Sequence, residues 1–462
     1  MLRTIDLRGR TLSSAELLAT VPRATAARAE ALAAAAAIVH DVATQGESAL
    51  RSQAERFDGV AGHEIRVPQA HLDEALAQLD PAVRTALEQA IERVRQASAA
   101  QVPAPAVSEL GPGALVVQRW QPVRRVGVYV PGGKAVYPSS VVMNVVPAQV
   151  AGVTEVALAS PPQREFDGRV HPIILAAAKL LGVDEVYAMG GAGAIGAFAH
   201  GVDSLDLDPV DIVTGPGNNF VAAAKRAVAG LVGTDAEAGA TEILIVADDT
   251  ADPDLVAADL ISQAEHDEQA AAVLVTDSAR LADAVAAHTA GRAARTRHAE
   301  RVAAALRGPQ SAIVLVDDLA VATAFSNAYA PEHLELHLAE PRPEDFVHAG
   351  AVFVGAYSPV SLGDYLAGSN HILPTGGQAR YSSGLSAATF LRPQQIIEYD
   401  LEALRVVRDG IVTLADAEQL PAHGEAVEAR FSLRPDGFSI REVGFPLRPV
   451  GEPAEPQEPR DD

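Results

Sequence analysis

Val126-Gly127-Val128-Tyr129-Val130-Pro131-Gly132-Gly133-Lys134 reads as a short β-branched strand that ends at a proline and a pair of glycines. The same texture recurs along the chain. Short β-rich runs at Val126 to Val130, Glu155 to Leu158, Glu185 to Met189 and Val210 to Val213 are each followed by a helix-like segment. Their starts lie roughly thirty residues apart, the period of a βαβ unit. A second series follows at Ile243 to Val246, Ala272 to Val275, Ile313 to Val316 and Val352 to Val354. Crossover helices make neighbouring strands parallel, so the fold class is α/β. The expected architecture is two doubly wound, incomplete Rossmann-like parallel-sheet domains, with small helical extensions at the N- and C-termini.

Upstream of the first strand, residues 24 to 56 and Pro68 to Ala100 are alanine-rich and read as helices. A turn at Glu109 to Ala114 leads into a β-type run, Leu115 to Trp120, that stops at Gln121-Pro122. Past Gly384 the pattern weakens into Phe390 to Tyr399 and then short helices through Glu428. The expected division is an N-terminal extension, 1–28; a discontinuous α/β domain, 29–124 and 241–384; an inserted α/β domain, 125–240; a small C-terminal domain, 385–447; and a Pro/Glu-rich disordered tail, 448–462.

A chain of 462 residues with 48% apolar content can bury more than one large core. Its formal charge of -24 offers no basic stripe to neutralise phosphates, which argues against a nucleic-acid partner. Zero cysteines exclude disulfides, thiolate metal ligands and any thioester route in carbonyl chemistry. A bound metal must therefore be held by nitrogen and oxygen. No apolar stretch follows the charges of Arg3 and Arg8, and the run Ala31 to Val39 falls far short of the ~20 residues of a membrane span. A cytoplasmic protein with no membrane partner is expected.

Three glycine clusters stand at strand ends: Pro131-Gly132-Gly133, Gly190-Gly191-Ala192-Gly193-Ala194-Ile195-Gly196 and Gly215-Pro216-Gly217-Asn218. Ligands of open α/β sheets bind outside the carboxyl ends of the strands, where glycine lets a phosphate or ring approach the backbone. Gly191, Gly193 and Gly196 fit G-x-G-x-x-G, yet tight helix-on-sheet packing explains three glycines equally well. The Walker pattern fails at Lys134-Ala135.

The second half carries the polar chemistry. Ser262-Gln263-Ala264-Glu265-His266-Asp267 closes an apolar helical run, and Gln263 and His266 stand three residues apart on one face, where an amide oxygen and an imidazole nitrogen can share one ion. A solvated helix end is the plainer reading of those six residues alone. Asn327-Ala328-Tyr329-Ala330-Pro331-Glu332-His333-Leu334-Glu335-Leu336 puts a carboxylate beside an imidazole at a loop-to-element junction, and these are the common general bases at neutral pH. The loop-rich stretch Ser361 to His371 holds Asp364 and His371. Glu418-Gln419-Leu420-Pro421-Ala422-His423 pairs an acid with a histidine across a proline that favours a loop.

Together these segments resemble the histidinol dehydrogenase family from about Arg3 through Phe445, in consistent order. The carrying motifs are Tyr-Val-Pro-Gly-Gly, Gly-Pro-Gly-Asn, Ser-Gln-Ala-Glu-His-Asp, Asn-Ala-Tyr-Ala-Pro-Glu-His-Leu, and Gly-Asp-Tyr with its Gly-Ser-Asn-His-Ile-Leu-Pro-Thr continuation. The resemblance implies oxidation of L-histidinol through the aldehyde to L-histidine, with two NAD reduced and one zinc ion per subunit. It implies zinc held by Gln263, His266, Asp364 and His423, the last from the partner subunit of a homodimer whose active site is shared across the interface. It implies Glu332 and His333 as the acid/base pair, and Tyr129 and Asn218 as cofactor contacts. Substrate contacts are implied at Thr241, Gln263, His266, His333, Asp364, His371, Glu418 and His423. In this reading 125–240 is the cofactor domain, and 29–124 with 241–384 is the metal and substrate domain.

One position departs from the family, which commonly reads Gly-Gly-Ala-Gln where this chain has Gly193. The substitution that completes the apparent G-x-G-x-x-G removes a side chain near the cofactor. Without cysteine, the aldehyde must become a tetrahedral species by adding water before a second hydride can leave. The expected roles are His333 for the alcohol proton and Glu332 for activating water. Two alternatives stay open: a paralogous zinc-dependent dehydrogenase of another polar alcohol, and a metal-dependent hydrolase. The joint presence of Glu332, His371, Glu418 and His423 argues against the first, and the glycine clusters argue against the second.

Overall fold

The structure, a computed structural model, describes residues 2–23, 28–132, 136–236 and 239–431. The expected tail, 448–462, lies outside the described residues, as do 432–447 of the expected C-terminal domain and Lys134. The strands in chain order are β1 (Arg3–Asp6), β2 (Ala106–Gly111), β3 (Ala114–Pro122), β4 (Arg125–Tyr129), β5 (Glu155–Ser160), β6 (Glu185–Ala188), β7 (Ile212–Thr214), β8 (Gly233–Thr234), β9 (Glu242–Ala247), β10 (Ala271–Thr276), β11 (Ala312–Leu315), β12 (His333–His337), β13 (Ala351–Val354) and β14 (Leu391–Tyr399). The described residues up to Gln101, with Arg124–Thr389, form one compact unit; Val102–Val123 and the described residues from Phe390 form a second.

The larger unit holds two parallel sheets. One has the order β6-β5-β4-β7-β8 and the other β1-β11-β10-β9-β12-β13. In each, the chain lays three strands outward in one direction, then returns to build on the far side of the first. The expected doubly wound α/β class is therefore the observed one, and the switch points lie between β4 and β7 and between β9 and β12. Strands covered on both faces read as continuous apolar runs, and β9 and β10 are buried at every residue. Ile243 and Ile245 pack on one side with Val256, Leu260 and Leu274, while Leu244 and Val246 pack on the other with Phe325, Leu334 and Leu336. Each such side chain contributes roughly 1.5–3 kcal/mol when fully buried.

Three boundaries differ from expectation. Arg3–Asp6 is an edge strand paired with β11 rather than part of a helical extension. The helices expected to accompany 241–384 cover the five-stranded sheet instead: Ala31, Ala35, Val39 and Leu50 share a core with Ala157, Tyr187 and Ile195. Small side chains make that approach possible, since a Cβ added at Gly196 would lie 3.2 Å from the Val39 Cα. In the second unit β3 pairs antiparallel with both β2 and β14, so 102–123 folds with the C-terminal residues and not with 29–101. That pairing also accounts for the faint strand signal around Phe390 to Tyr399, because β14 is half solvent-facing and lacks a buried apolar run.

Arg23 ties the N-terminal segment to the central strand. Its Nε donates to Glu242 Oε1 at 2.6 Å, a second nitrogen reaches the Tyr329 and Ala330 carbonyls, and the guanidinium lies 4.0 Å over the Tyr329 ring. Glu242 is almost fully buried. Replacing Arg23 with Met leaves that carboxylate without its cation and should lower stability by roughly 3 kcal/mol, measured by urea denaturation. An unchanged midpoint would mean that the pair contributes nothing.

Candidate active site

The polar cluster forms where β9 and β12 lie side by side, at their amino-terminal ends. His333 pairs in register with Ile243, which sets Thr241 and Glu242 beside Glu332. Ala330 closes the preceding helix, Leu319–Tyr329, in the left-handed region at φ 50°, and Pro331 then turns the chain into the strand. Glu332 Oε2 accepts from the Thr241 hydroxyl at 2.6 Å and from the Glu242 backbone N–H at 2.8 Å. His333 Nδ1 lies 3.0 Å from the Glu242 carbonyl. A carbonyl only accepts, so Nδ1 carries the proton and Nε2 is left as an acceptor. Burial pushes the Glu332 carboxyl above the usual glutamate range, while His333, the two donors and His266 pull the other way.

Gln263 lies in the last turn of the helix Pro253–Ala264, which returns to the amino edge of the sheet after β9; the helix stops before His266, so His266 stands just past its end rather than on the expected helical face. Gln263 is 1% exposed, and its Nε2 donates to Thr241 Oγ1 at 2.6 Å, so amide, hydroxyl and Glu332 carboxylate form one directed chain of donors. Gln263 Oε1 remains available as a ligand atom. His266 Nδ1 rests 3.2 Å from the Ser262 and Gln263 carbonyls, which leaves Nε2 as its outward donor atom. His371 Nδ1 lies 2.9 Å from the Asp364 carbonyl, and its Nε2 lies 3.3 Å from Ser140 Oγ. Burial holds His371 below the usual histidine range; Asp364 opposes this, and His333 and His266 add to it. The expected residues Thr241, Gln263, His266, Glu332, His333, Asp364 and His371 thus come together. One amide oxygen, one imidazole and one carboxylate are a hard-to-borderline donor set that suits zinc.

Glu418 and His423 belong to the second unit. Glu418 caps the helix Leu401–Ala417, and Gln419 takes φ 59°. Pro421 then begins the helix Pro421–Phe431 instead of sitting in a loop, because proline at a first helical position has no amide hydrogen to satisfy. Both Glu418 and His423 are exposed.

On the five-stranded sheet Gly132, Gly190 to Gly196 and Gly215 to Gly217 stand at the carboxyl ends of β4, β6 and β7, as expected, while Gly133 lies outside the described residues. A Cβ at Gly215 would lie 1.9 Å from the Tyr129 carbonyl oxygen, so only glycine lets this turn close on β4. The Tyr129 hydroxyl accepts from Gly191 N–H at 3.0 Å, and burial pushes its phenol up to about 12. Asn218 Oδ1 caps the helix Asn219–Val228 through the Phe220 and Val221 amides, at 3.0 and 3.2 Å. The apparent G-x-G-x-x-G resolves as packing at its later positions. A Cβ at Gly193 would lie 2.0 Å from Gln53 Oε1, and Gly196 faces Val39 and Val42.

One group escaped the sequence reading. Asp259, Glu335 and His337 bring three ligand-type atoms within 4.8 Å of one another. The signal was present: His333-Leu334-Glu335-Leu336-His337 alternates at the strand period, so its three polar residues share a face. Reading the segment as a junction hid it.

The histidinol dehydrogenase family profile matches residues 21–431. Histidinol dehydrogenase of Leifsonia xyli is 63% identical over 94% of this chain and 100% of its own length. That of Mycobacterium tuberculosis is 58% identical over 93% of this chain and 98% of its own. The crystal structure of histidinol dehydrogenase from Elizabethkingia anophelis superposes with a TM-score of 0.85 at 31% identity, covering 93% of this chain and 98% of that one.

The Thr241 hydroxyl stabilises the charged form of Glu332. Replacing Thr241 with Val removes that donor and should move the Glu332 carboxyl further upward, read by infrared difference spectroscopy of carboxyl protonation against pH. A downward shift would contradict the arrangement.

Proposed function

The chain belongs to the histidinol dehydrogenase family of histidine biosynthesis, and from that premise we propose a cytoplasmic homodimer that oxidises L-histidinol through L-histidinal to L-histidine, with NAD as hydride acceptor and one zinc ion per subunit. The observation that carries the reading is the buried Glu332 carboxylate, held by Thr241 and Glu242 beside an imidazole with a free Nε2. Zinc, held by Gln263, His266, Asp364 and the partner's His423, would supply a Lewis-acid anchor that orients a substrate rich in nitrogen donors. NAD would lie over the carboxyl edge of the five-stranded sheet, against Tyr129 and Asn218, and take up each hydride.

The acid/base work falls to this chain's own residues. His333 Nε2 takes the hydroxyl proton in the first oxidation, with Nδ1–H anchored on the Glu242 carbonyl so that the ring cannot turn away. In the second, Glu332 removes a proton from water as it adds to the aldehyde carbon, and the resulting gem-diol loses a hydride to give the acid. A carboxylate raised by burial is a stronger base than an exposed one, and the Thr241 hydroxyl and the Glu242 amide work against that rise. Neutral His371, between Ser140 and Asp364, lines the substrate side. Thr241, Glu418 and His423 complete the proposed substrate contacts, with His423 supplied by the partner subunit.

NADH formation with histidinol and NAD, compared with other polar alcohols, tests the assignment; faster turnover of another alcohol would overturn it. Replacing Glu332 with Gln should slow histidinal oxidation by roughly 10²–10⁴-fold and histidinol oxidation far less. Equal, mild losses in both half-reactions would remove Glu332 from the role of base. Since the ionised carboxylate is the active form and its folded value is raised, the acid limb of histidinal oxidation should lie above the ordinary glutamate range. Mixing inactive His266→Asn and His423→Asn subunits should restore about a quarter of the wild-type activity, because half the dimers then hold one intact site; no recovery would contradict a shared site.

A further inference from the structure

β12 crosses the whole six-stranded sheet, and its polar alternation does not stop at the active site. Residues 333, 335 and 337 point to one face, toward the helix Pro253–Ala264, on which Asp259 stands one turn before Gln263. His337 is the last residue of the strand, roughly 13 Å from His333 at about 3.3 Å per residue. A second polar cluster therefore lies between the same two elements, away from Glu332 and His266.

Its members are an imidazole and two carboxylates, with side chains 6% (His337), 1% (Glu335) and 15% (Asp259) exposed. His337 Nε2 lies 3.4 Å from Glu335 Oε2 and 3.8 Å from Asp259 Oδ2. Those separations are long for a charge-assisted hydrogen bond, which closes to about 2.7–2.9 Å. The 3.4 Å separation matches an edge of a coordination polyhedron, since ligand atoms at 2.0–2.2 Å from a tetrahedral ion stand roughly 3.3–3.6 Å apart, and the 3.8 Å one is slightly longer. The remaining oxygen of Glu335 is held by the Val360 N–H at 2.8 Å, an outer-shell bond of the kind that aims a metal-binding carboxylate.

Charge points the same way. One buried and one partly buried carboxylate face one imidazole, and among the described residues no lysine or arginine forms a salt bridge with any of the three. Arg292, whose charge reaches Asp259, gives its hydrogen bonds to both oxygens of Asp254.

We propose that Asp259, Glu335 and His337 form a second divalent-cation site, of zinc or manganese type, separate from the one at Gln263 and His266. The imidazole favours a transition metal over magnesium or calcium, and two carboxylates with one nitrogen leave a coordination position for water. Placed between β12 and the helix that carries Gln263, the ion would clamp the helix to the strand and act as a structural site. The proposal does not depend on the identity of the substrate.

Metal content of the full-length protein decides it. Chelator-stripped protein is equilibrated with buffered Zn2+, or with Mn2+ in a parallel sample, and bound metal per subunit is read by atomic absorption. Wild type should hold two equivalents, and Glu335→Gln, Asp259→Asn and His337→Asn one each, while His266→Asn keeps the equivalent that they lose. Added Zn2+ should raise the melting temperature of His266→Asn but not of the His266→Asn/Glu335→Gln double variant. Asp259→Asn is nearly isosteric, so it reports on the site even if His337→Asn fails to fold. One equivalent in the wild type, unchanged by Glu335→Gln and Asp259→Asn, would overturn the proposal and leave a cluster of carboxylates sharing a proton. Failure of the histidinol reading would leave the two-to-one change in metal content untouched.

Discussion

The peptide of Glu242 is the constraint on which the site depends. Its N–H holds the Glu332 carboxylate, its carbonyl holds the His333 ring, and its own side chain is tied to Arg23 from the N-terminal segment. One residue at the start of β9 thus fixes the tautomer of His333 and the positions of two groups on β12. Such control needs the two strands to be neighbours, and they are neighbours only because the chain reverses direction between them. The switch point of the six-stranded sheet is where a carboxylate and an imidazole from residues about ninety positions downstream are held by main-chain atoms of Glu242.

The two sheets use opposite edges. The glycine turns of the five-stranded sheet stand at the carboxyl ends of β4, β6 and β7, where the switch-point rule puts a dinucleotide. The polar cluster of the six-stranded sheet stands at the amino ends of β9 and β12, because the helix Pro253–Ala264 runs back to that edge and delivers Gln263 and His266 there. The hydrogen bond between His371 and Ser140, in the first turn of the helix that follows β4, joins the edges within one compact unit.

Glycine does several separate jobs in this fold. Gly215 lets a turn close on Tyr129, whereas Gly193 and Gly196 let a helix approach Gln53, Val39 and Val42. The motif match at Gly191, Gly193 and Gly196 thus reflects helix packing at two of its three positions. At residue 193 the Gln53 carboxamide already fills the space that a side chain would occupy.

By itself the sequence determined the α/β class, eight of the eleven described parallel strands (all but β1, β8 and β12) and the identities of the polar residues, because buried parallel strands and glycine-ended turns write themselves into local composition. Glu332, His333, Gln263 and His266 were legible as short motifs for the same reason. Only the tertiary structure decided that the alanine-rich helices cover the five-stranded sheet, since alanine signals helix and carries no address. It alone paired β3 with β14, made Arg3–Asp6 an edge strand and aligned Asp259 with Glu335 and His337. Those facts depend on register and on strand order, which are relations between distant segments and leave no trace in either one.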